Sequence, residues 1–144
     1  MITKEVQSLG KISYVSDFSE DTFKFRHEKF SHLINKECVV LDIGAHIGSF
    51  SLLFASCANK VISFEPNPVV FDVLKTHVEK NPHLNIIPHR FACTQENKKY
   101  TFNYTDPNVY GMGSNGGLLN NLSNKKFKDA HSYQLEVDGV NALD

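Results

Sequence analysis

Apolar positions change their spacing several times along the chain, and each change marks an element. Val39, Val40 and Leu41 form an unbroken branched apolar run, the pattern of a parallel strand covered on both faces. After Asp42, Gly44 and Gly48 comes a helix in which Leu52, Leu53, Phe54 and Ala55 leave almost no polar face, with Asn59 as its stop. Such a helix is expected to be wedged between the sheet and another layer. Lys60 to Phe64 reads as a second strand that ends in Glu65 and Pro66. Asn67 is then a cap and Pro68 a first helical residue, and Val70, Val73, Leu74, His77 and Val78 form the buried stripe of a helix that stops near Asn81 and Pro82. Asn85 to Cys93 reads as a third strand, with Pro88 removing one ladder donor and marking a start or an edge. Strand, helix, strand, helix, strand is half of a Rossmann-like α/β domain.

The flanks carry weaker patterns. Lys11 to Val15 predicts a short edge strand and Ser16 to Glu20 a turn, followed by a helix whose apolar face is Phe23, His27, Phe30 and Ile34. His27 and His32 do not share a face, and His77 has no metal-binding neighbour one turn away, so no metal site is expected. Beyond Glu96, Tyr100, Phe102 and Tyr104 alternate with polar residues, as in a half-buried antiparallel strand. Residues 106–126 are rich in Gly and Asn and predict a long connection that is either a functional lid or disordered. Ser132 to Val137 reads as a further strand.

The chemistry concentrates where the first two strands end. Ligands of open α/β sheets bind outside the carboxyl ends of the strands, so Asp42 points toward whatever is bound. Gly44 and Gly48 allow the backbone to turn tightly and approach that ligand. Glu65 falls 21 positions after Gly44, and an acid about 20 residues past the glycine turn is placed to accept hydrogen bonds from ribose hydroxyls. Two features argue against a dinucleotide. Ala45, His46 and Ile47 separate the glycines, so the G-x-G-x-x-G fingerprint is absent, and Asp42 would stand against a pyrophosphate of the same sign. S-adenosylmethionine carries a sulfonium and an ammonium, which an acid attracts.

Asp42-Ile43-Gly44-Ala45-His46-Ile47-Gly48, followed by Phe64-Glu65-Pro66-Asn67-Pro68, resembles the FkbM-type S-adenosylmethionine-dependent methyltransferases, within the class I methyltransferase fold. The resemblance covers roughly residues 38–144. It implies an α/β, Rossmann-like three-layer sandwich, here the N-terminal half of the sheet with an added antiparallel strand pair. It also implies that Asp42, Gly44, Ala45, His46 and Gly48 hold the methionine end of the cofactor S-adenosyl-L-methionine. Glu65 would hold the ribose, with Pro66, Asn67 and Ala92 beside the nucleoside. His46 stands where the family usually has asparagine; it is read as setting the loop conformation in preference to acting as a base. The reaction implied is O-methylation of a small-molecule or glycan hydroxyl. Gly113 and Ser114, in a similar Gly-Ser stretch, would line the acceptor side. No catalytic base carries over.

Composition narrows the picture further. One domain's length, 144 residues, and a formal charge of −1 with mixed signs show no basic footprint for nucleic acid, and there is no membrane span or signal-peptide core, so a cytoplasmic chain is expected. Cys38, Cys57 and Cys93 are widely spaced in apolar elements and read as packing residues, since a catalytic thiol at Cys93 would need an activating base. Residues 1–36 are read as an N-terminal strand and helix, and 37–144 as an incomplete cofactor-binding half. The family's fourth core strand would pair with the 39–43 strand. Its absence predicts truncation, or an oligomer or partner that covers the open edge. Two other functions stay open: a non-catalytic remnant or interaction module, and a nicotinamide-dependent oxidoreductase fragment.

Overall fold

The computed structural model describes residues 2–6, 10–14, 28–105, 116–118 and 132–141. Strands β1 (Ile2–Val6) and β2 (Gly10–Tyr14) form an antiparallel hairpin in which Ile2 pairs with Tyr14. The sequence pattern indicates β2 but not β1, which pairs with β2 among the described residues. Residues 28–30 are helical and pass into a 3-10 turn over Ser31–Leu33 that ends in extended backbone at Ile34. Phe23 and His27 of the expected helix face lie outside the described residues.

The central unit is β3 (Val39–Ile43), α1 (Ser49–Cys57), β4 (Lys60–Phe64), α2 (Pro68–Lys80) and β5 (Ile86–His89), with the strands parallel in the order β3-β4-β5. Asn67 starts α2 as expected: its Oδ1 accepts from the Val69 N–H at 3.0 Å, with Pro68 in the first turn where no donor is needed. Pro88 sits in β5, an edge of this sheet, where a missing N–H leaves no ladder bond broken on the outer side.

Register decides the core. Val40, Val61 and Ile86 pair across the sheet and share one face. That face packs on Leu52, Leu53 and Ala55 of α1, Val70 of α2, and Ile12 and Tyr14 of β2. Burial of a leucine of this kind contributes about 1.5–3 kcal/mol. The N-terminal hairpin therefore belongs to the same core as the parallel sheet.

Both crossover helices lie on this face, because successive crossovers of one hand that step in one direction across a sheet stay on one side. On the other face Val39, Leu41, Ile43 and Ile87 remain 55%, 42%, 62% and 38% exposed. The expectation that β3 is covered on both faces is thus met on one face among the described residues.

The predicted third strand divides. β5 ends at His89, and Ala92–Cys93 form a separate strand, β6, in a second sheet with β7 (Lys99–Thr105), β8 (Gly116–Leu118) and β9 (Ser132–Val140), in the order β6-β9-β7-β8. β7 and β9 form the antiparallel pair, with Tyr104 opposite Tyr133, and β9 runs on to Val140. β8 pairs with β7 inside the stretch read as a long connection. The second sheet has its own core of Ala92, Phe102 and Val137. The architecture is α/β and Rossmann-like.

Candidate functional site at the carboxyl ends of the parallel strands

The loop between β3 and α1 folds back on the next strand. Gly44 and Ala45 N–H both donate to the Phe64 carbonyl at 2.9 and 3.0 Å, and Gly48 N–H donates to the Ala45 carbonyl at 2.8 Å. Three residues take positive φ: Gly44 at 75°, His46 at 55° and Gly48 at 88°. His46 is one of the few side-chain types enriched in the left-handed region, which explains a histidine between two glycines here. At Gly44 a Cβ would meet nothing within 4 Å, so the loop is open on that side; at Gly48 it would lie 2.5 Å from Leu74 Cδ1.

Two buried carboxylates flank this loop. Asp42 Oδ2 accepts from the Ser51 hydroxyl at 2.6 Å, and Ser51 Oγ lies 2.8 Å from Ser63 Oγ. Glu65 Oε2 accepts from the His46 N–H at 2.9 Å and Oε1 from the Asn67 N–H at 2.8 Å. Burial pushes the Asp42 carboxyl above its ordinary range, against the opposing hydrogen bonds from Ser51. Glu65 is raised by burial first, opposed by the Asn67 and His46 amides, and raised further by the Asp42 charge. Among the described residues the ion pairs are Lys75–Glu79, Lys98–Glu96 and Lys99–Asp138, so no lysine or arginine neutralises either acid. The Asp42 charge disfavours ionisation of Glu65, and a cation placed near both would stabilise their ionised forms.

Asp42, Gly44, Ala45, His46, Gly48, Glu65 and Asn67 are therefore gathered around one loop. Asn67 acts there through its backbone N–H, since its side chain caps α2. Pro66 follows Glu65, half-buried, at the same edge. Ala92, three residues past the end of β5, pairs with Gly139 in the second sheet and is buried in the second core. His89 ends β5 and Phe91 follows it. Their rings stack at 6.0 Å, and His89 stacks on Phe64 at 5.4 Å. Gly113 and Ser114 lie outside the described residues.

Ser51 escaped the sequence reading, being one of three serines in the helix, Ser49, Ser51 and Ser56, with nothing in the spacing to single it out. His77 lies on the buried stripe, as expected. It is fully buried, with Nδ1 2.6 Å from the Ile47 carbonyl, a contact the spacing alone did not indicate. Burial raises the Cys93 thiol, the opposite of an activated nucleophile. Among the described residues no group of three or more His, Cys, Asp or Glu could hold a metal, and no helix is long and apolar enough to cross a membrane.

No family model matches the chain. A stretch of 47 residues, 33% of this chain and 17% of the relative, is 43% identical to the "Probable ribosomal RNA small subunit methyltransferase A" of Methanosphaera stadtmanae. The match thus spans about one-sixth of that curated relative's length. Among solved structures, the tRNA (m1A58) methyltransferase TrmI of Aquifex aeolicus aligns with a TM-score of 0.46 at 18% identity, over 65% of this chain and 38% of that one. The Pyrococcus abyssi tRNA (uracil-54, C5)-methyltransferase in complex with S-adenosyl-L-homocysteine aligns with 0.45 at 17% identity, over 61% and 23%. The YcgJ protein of Bacillus subtilis aligns with 0.44 at 18%, over 51% and 31%. The ribosomal RNA relative overturns the expectation of no nucleic-acid partner and, with it, the small-molecule or glycan acceptor. That expectation rested on a net charge of −1, which averages over the whole surface and does not report a local basic patch.

Proposed function

We propose that the chain binds S-adenosyl-L-methionine and carries the cofactor-binding part of a methyltransferase, with an RNA as acceptor. The observation that carries this reading is the pair of buried carboxylates, Asp42 and Glu65, which no lysine or arginine pairs among the described residues, on either side of a loop open at Gly44. When bound, the cofactor supplies a sulfonium methyl as the transferable electrophile. The chain's own residues bind and orient it. Asp42, fixed by Ser51, offers its remaining lone pairs to a cationic group. Glu65 keeps lone pairs beyond those used by the two amides and can accept from ribose hydroxyls. Gly44 allows a ligand to approach the backbone. Residues 37–144 provide this unit, and the hairpin completes its core.

The FkbM-type likeness of the two motifs supports the cofactor and says nothing of an RNA acceptor. The RNA reading is supported by the 47-residue relative. Calorimetric titration of the chain with S-adenosylhomocysteine and, separately, with NAD tests the cofactor. Binding of the first alone, weakened at least tenfold by Asp42→Asn or Glu65→Gln, is expected, since a hydrogen bond to a charged group contributes about 1.5–3 kcal/mol. Equal affinity for both ligands, or unchanged affinity in the variants, would overturn it. For the acceptor, the affinity of the chain for ribosomal RNA is measured against polyglutamate of similar length at several salt concentrations; no preference for RNA would remove that part.

A further inference from the structure

The glycine loop touches α2 at two places one turn apart. Leu74 Cδ1 fills the space where a Gly48 Cβ would stand, and three residues on, His77 Nδ1 lies 2.6 Å from the Ile47 carbonyl. Residues at i and i+3 share a helix face, so both contacts come from one stripe of α2. A carbonyl only accepts, so Nδ1 carries the proton and donates. Burial lowers the His77 pKa, which keeps the ring neutral at physiological pH.

The far end of α2 is tied down as well. Asn81 Nδ2 donates to the His77 carbonyl at 2.7 Å and to the Ser13 carbonyl at 2.8 Å, while its Oδ1 accepts from the Ser13 N–H at 2.8 Å. A carbonyl in the last turn of the helix is thereby satisfied, and α2 is locked to β2. The loop residue Ile47 is thus connected through His77 and Asn81 to the hairpin.

We infer that His77 is a positioning residue for the cofactor loop, its Nδ1–H holding the Ile47 carbonyl so that the His46 N–H stays on Glu65 and Gly44 stays open to ligand. The connection goes beyond the fingerprint, because it makes the loop's shape depend on a residue 30 positions away on a different helix. It rests on the cofactor reading above, and two measurements keep the failures apart.

The first is calorimetric titration of S-adenosylhomocysteine into the wild type, His77→Leu and His77→Asn, with thermal midpoints recorded without ligand. Leucine fills much of the space but donates nothing, whereas the asparagine Nδ2 stands close to where the histidine Nδ1 stood. His77→Leu is expected to weaken binding about tenfold, the worth of one net hydrogen bond. His77→Asn is expected to recover most of that affinity although its midpoint stays lowered by the lost ring. Affinity that merely follows the midpoints, with asparagine no better than leucine, would overturn the inference.

The second needs no ligand. Amide hydrogen exchange at His46 and Gly48 is expected to quicken about tenfold in His77→Leu relative to amides of β7 and β9, and not in His77→Asn. If the wild type binds no S-adenosylhomocysteine, the cofactor reading fails while exchange still decides whether His77 holds the loop; uniform exchange across the variants would sink the positioning role.

Discussion

The Ser51 hydroxyl donates to Asp42 Oδ2 at 2.6 Å, so a residue on the first turn of α1 aims the carboxylate that β3 delivers to the site. Ser63 of β4, 2.8 Å from the same hydroxyl, continues the chain of polar groups into the sheet, and all three side chains are buried. Ser51→Ala removes the donor and leaves Asp42 and Ser63 less satisfied. A loss of about 1–3 kcal/mol is expected in chemical denaturation at neutral pH, with weaker S-adenosylhomocysteine binding. Wild-type stability in this variant would show that Asp42 is solvated by another route.

The two acids set a pH dependence of known sign. Asp42 and Glu65 are raised above ordinary values of 3.8 and 4.5, chiefly by burial. A raised acid binds its proton more tightly in the folded chain, so its contribution to stability is full below the unfolded pKa and is lost as pH climbs through the folded one. The ligand-free wild type is expected to lose stability, relative to an Asp42→Asn, Glu65→Gln double variant, as pH rises from about 4. Thermal midpoints across that range check it, and a difference that is flat or grows the other way contradicts it. Binding of a cationic ligand should strengthen over the same window.

The two loop glycines should differ in their tolerance of a side chain. Gly44→Ala meets no atom within 4 Å and carries only the strain of φ 75°, about 1–2 kcal/mol. Gly48→Ala has φ 88° and also drives a methyl against Leu74, adding about 1–3 kcal/mol of overpacking. Denaturation curves should therefore rank Gly48→Ala as the more damaging, and Leu74→Ala in the same chain should interact favourably with it in a double-mutant cycle. Equal costs would mean that Leu74 moves aside freely.

Asn81 satisfies both backbone groups of Ser13, and no apolar residue of similar size can do so. Asn81→Leu should destabilise the chain by about 2 kcal/mol or more through the loss of its side-chain hydrogen bonds to Ser13 and His77. Limited proteolysis should then cut the N-terminal hairpin before the parallel sheet. Simultaneous loss of both would indicate that the hairpin does not open separately.

Much of the central unit was legible in the sequence because its determinants are local. The branched run at Val39 to Leu41, the Asn67 cap before Pro68, and the acids that end β3 and β4 each act within a few residues of themselves, so spacing alone brings Asp42, Glu65 and the glycine loop to one edge. The second sheet was less legible. Asn85 to Cys93 carries one apolar pattern, yet β5 joins β4 while β6 joins β9, with Ala92 opposite Gly139. β8 likewise owes its existence to β7. The apolar pattern of β3 could not tell that both crossover helices would lie on one side of the sheet.

The sequence by itself determined the parallel strand order of the central unit, the turn at Gly44 to Gly48 and the positions of its acids, since chain connectivity and backbone sterics enforce these over short distances. Only the tertiary structure decided that Ser51 aims Asp42, that His77 is buried beneath Ile47, and that Ala92 faces another core. Those depend on which surfaces meet once distant segments pack, and neither hydrophobic spacing nor local propensity encodes that choice.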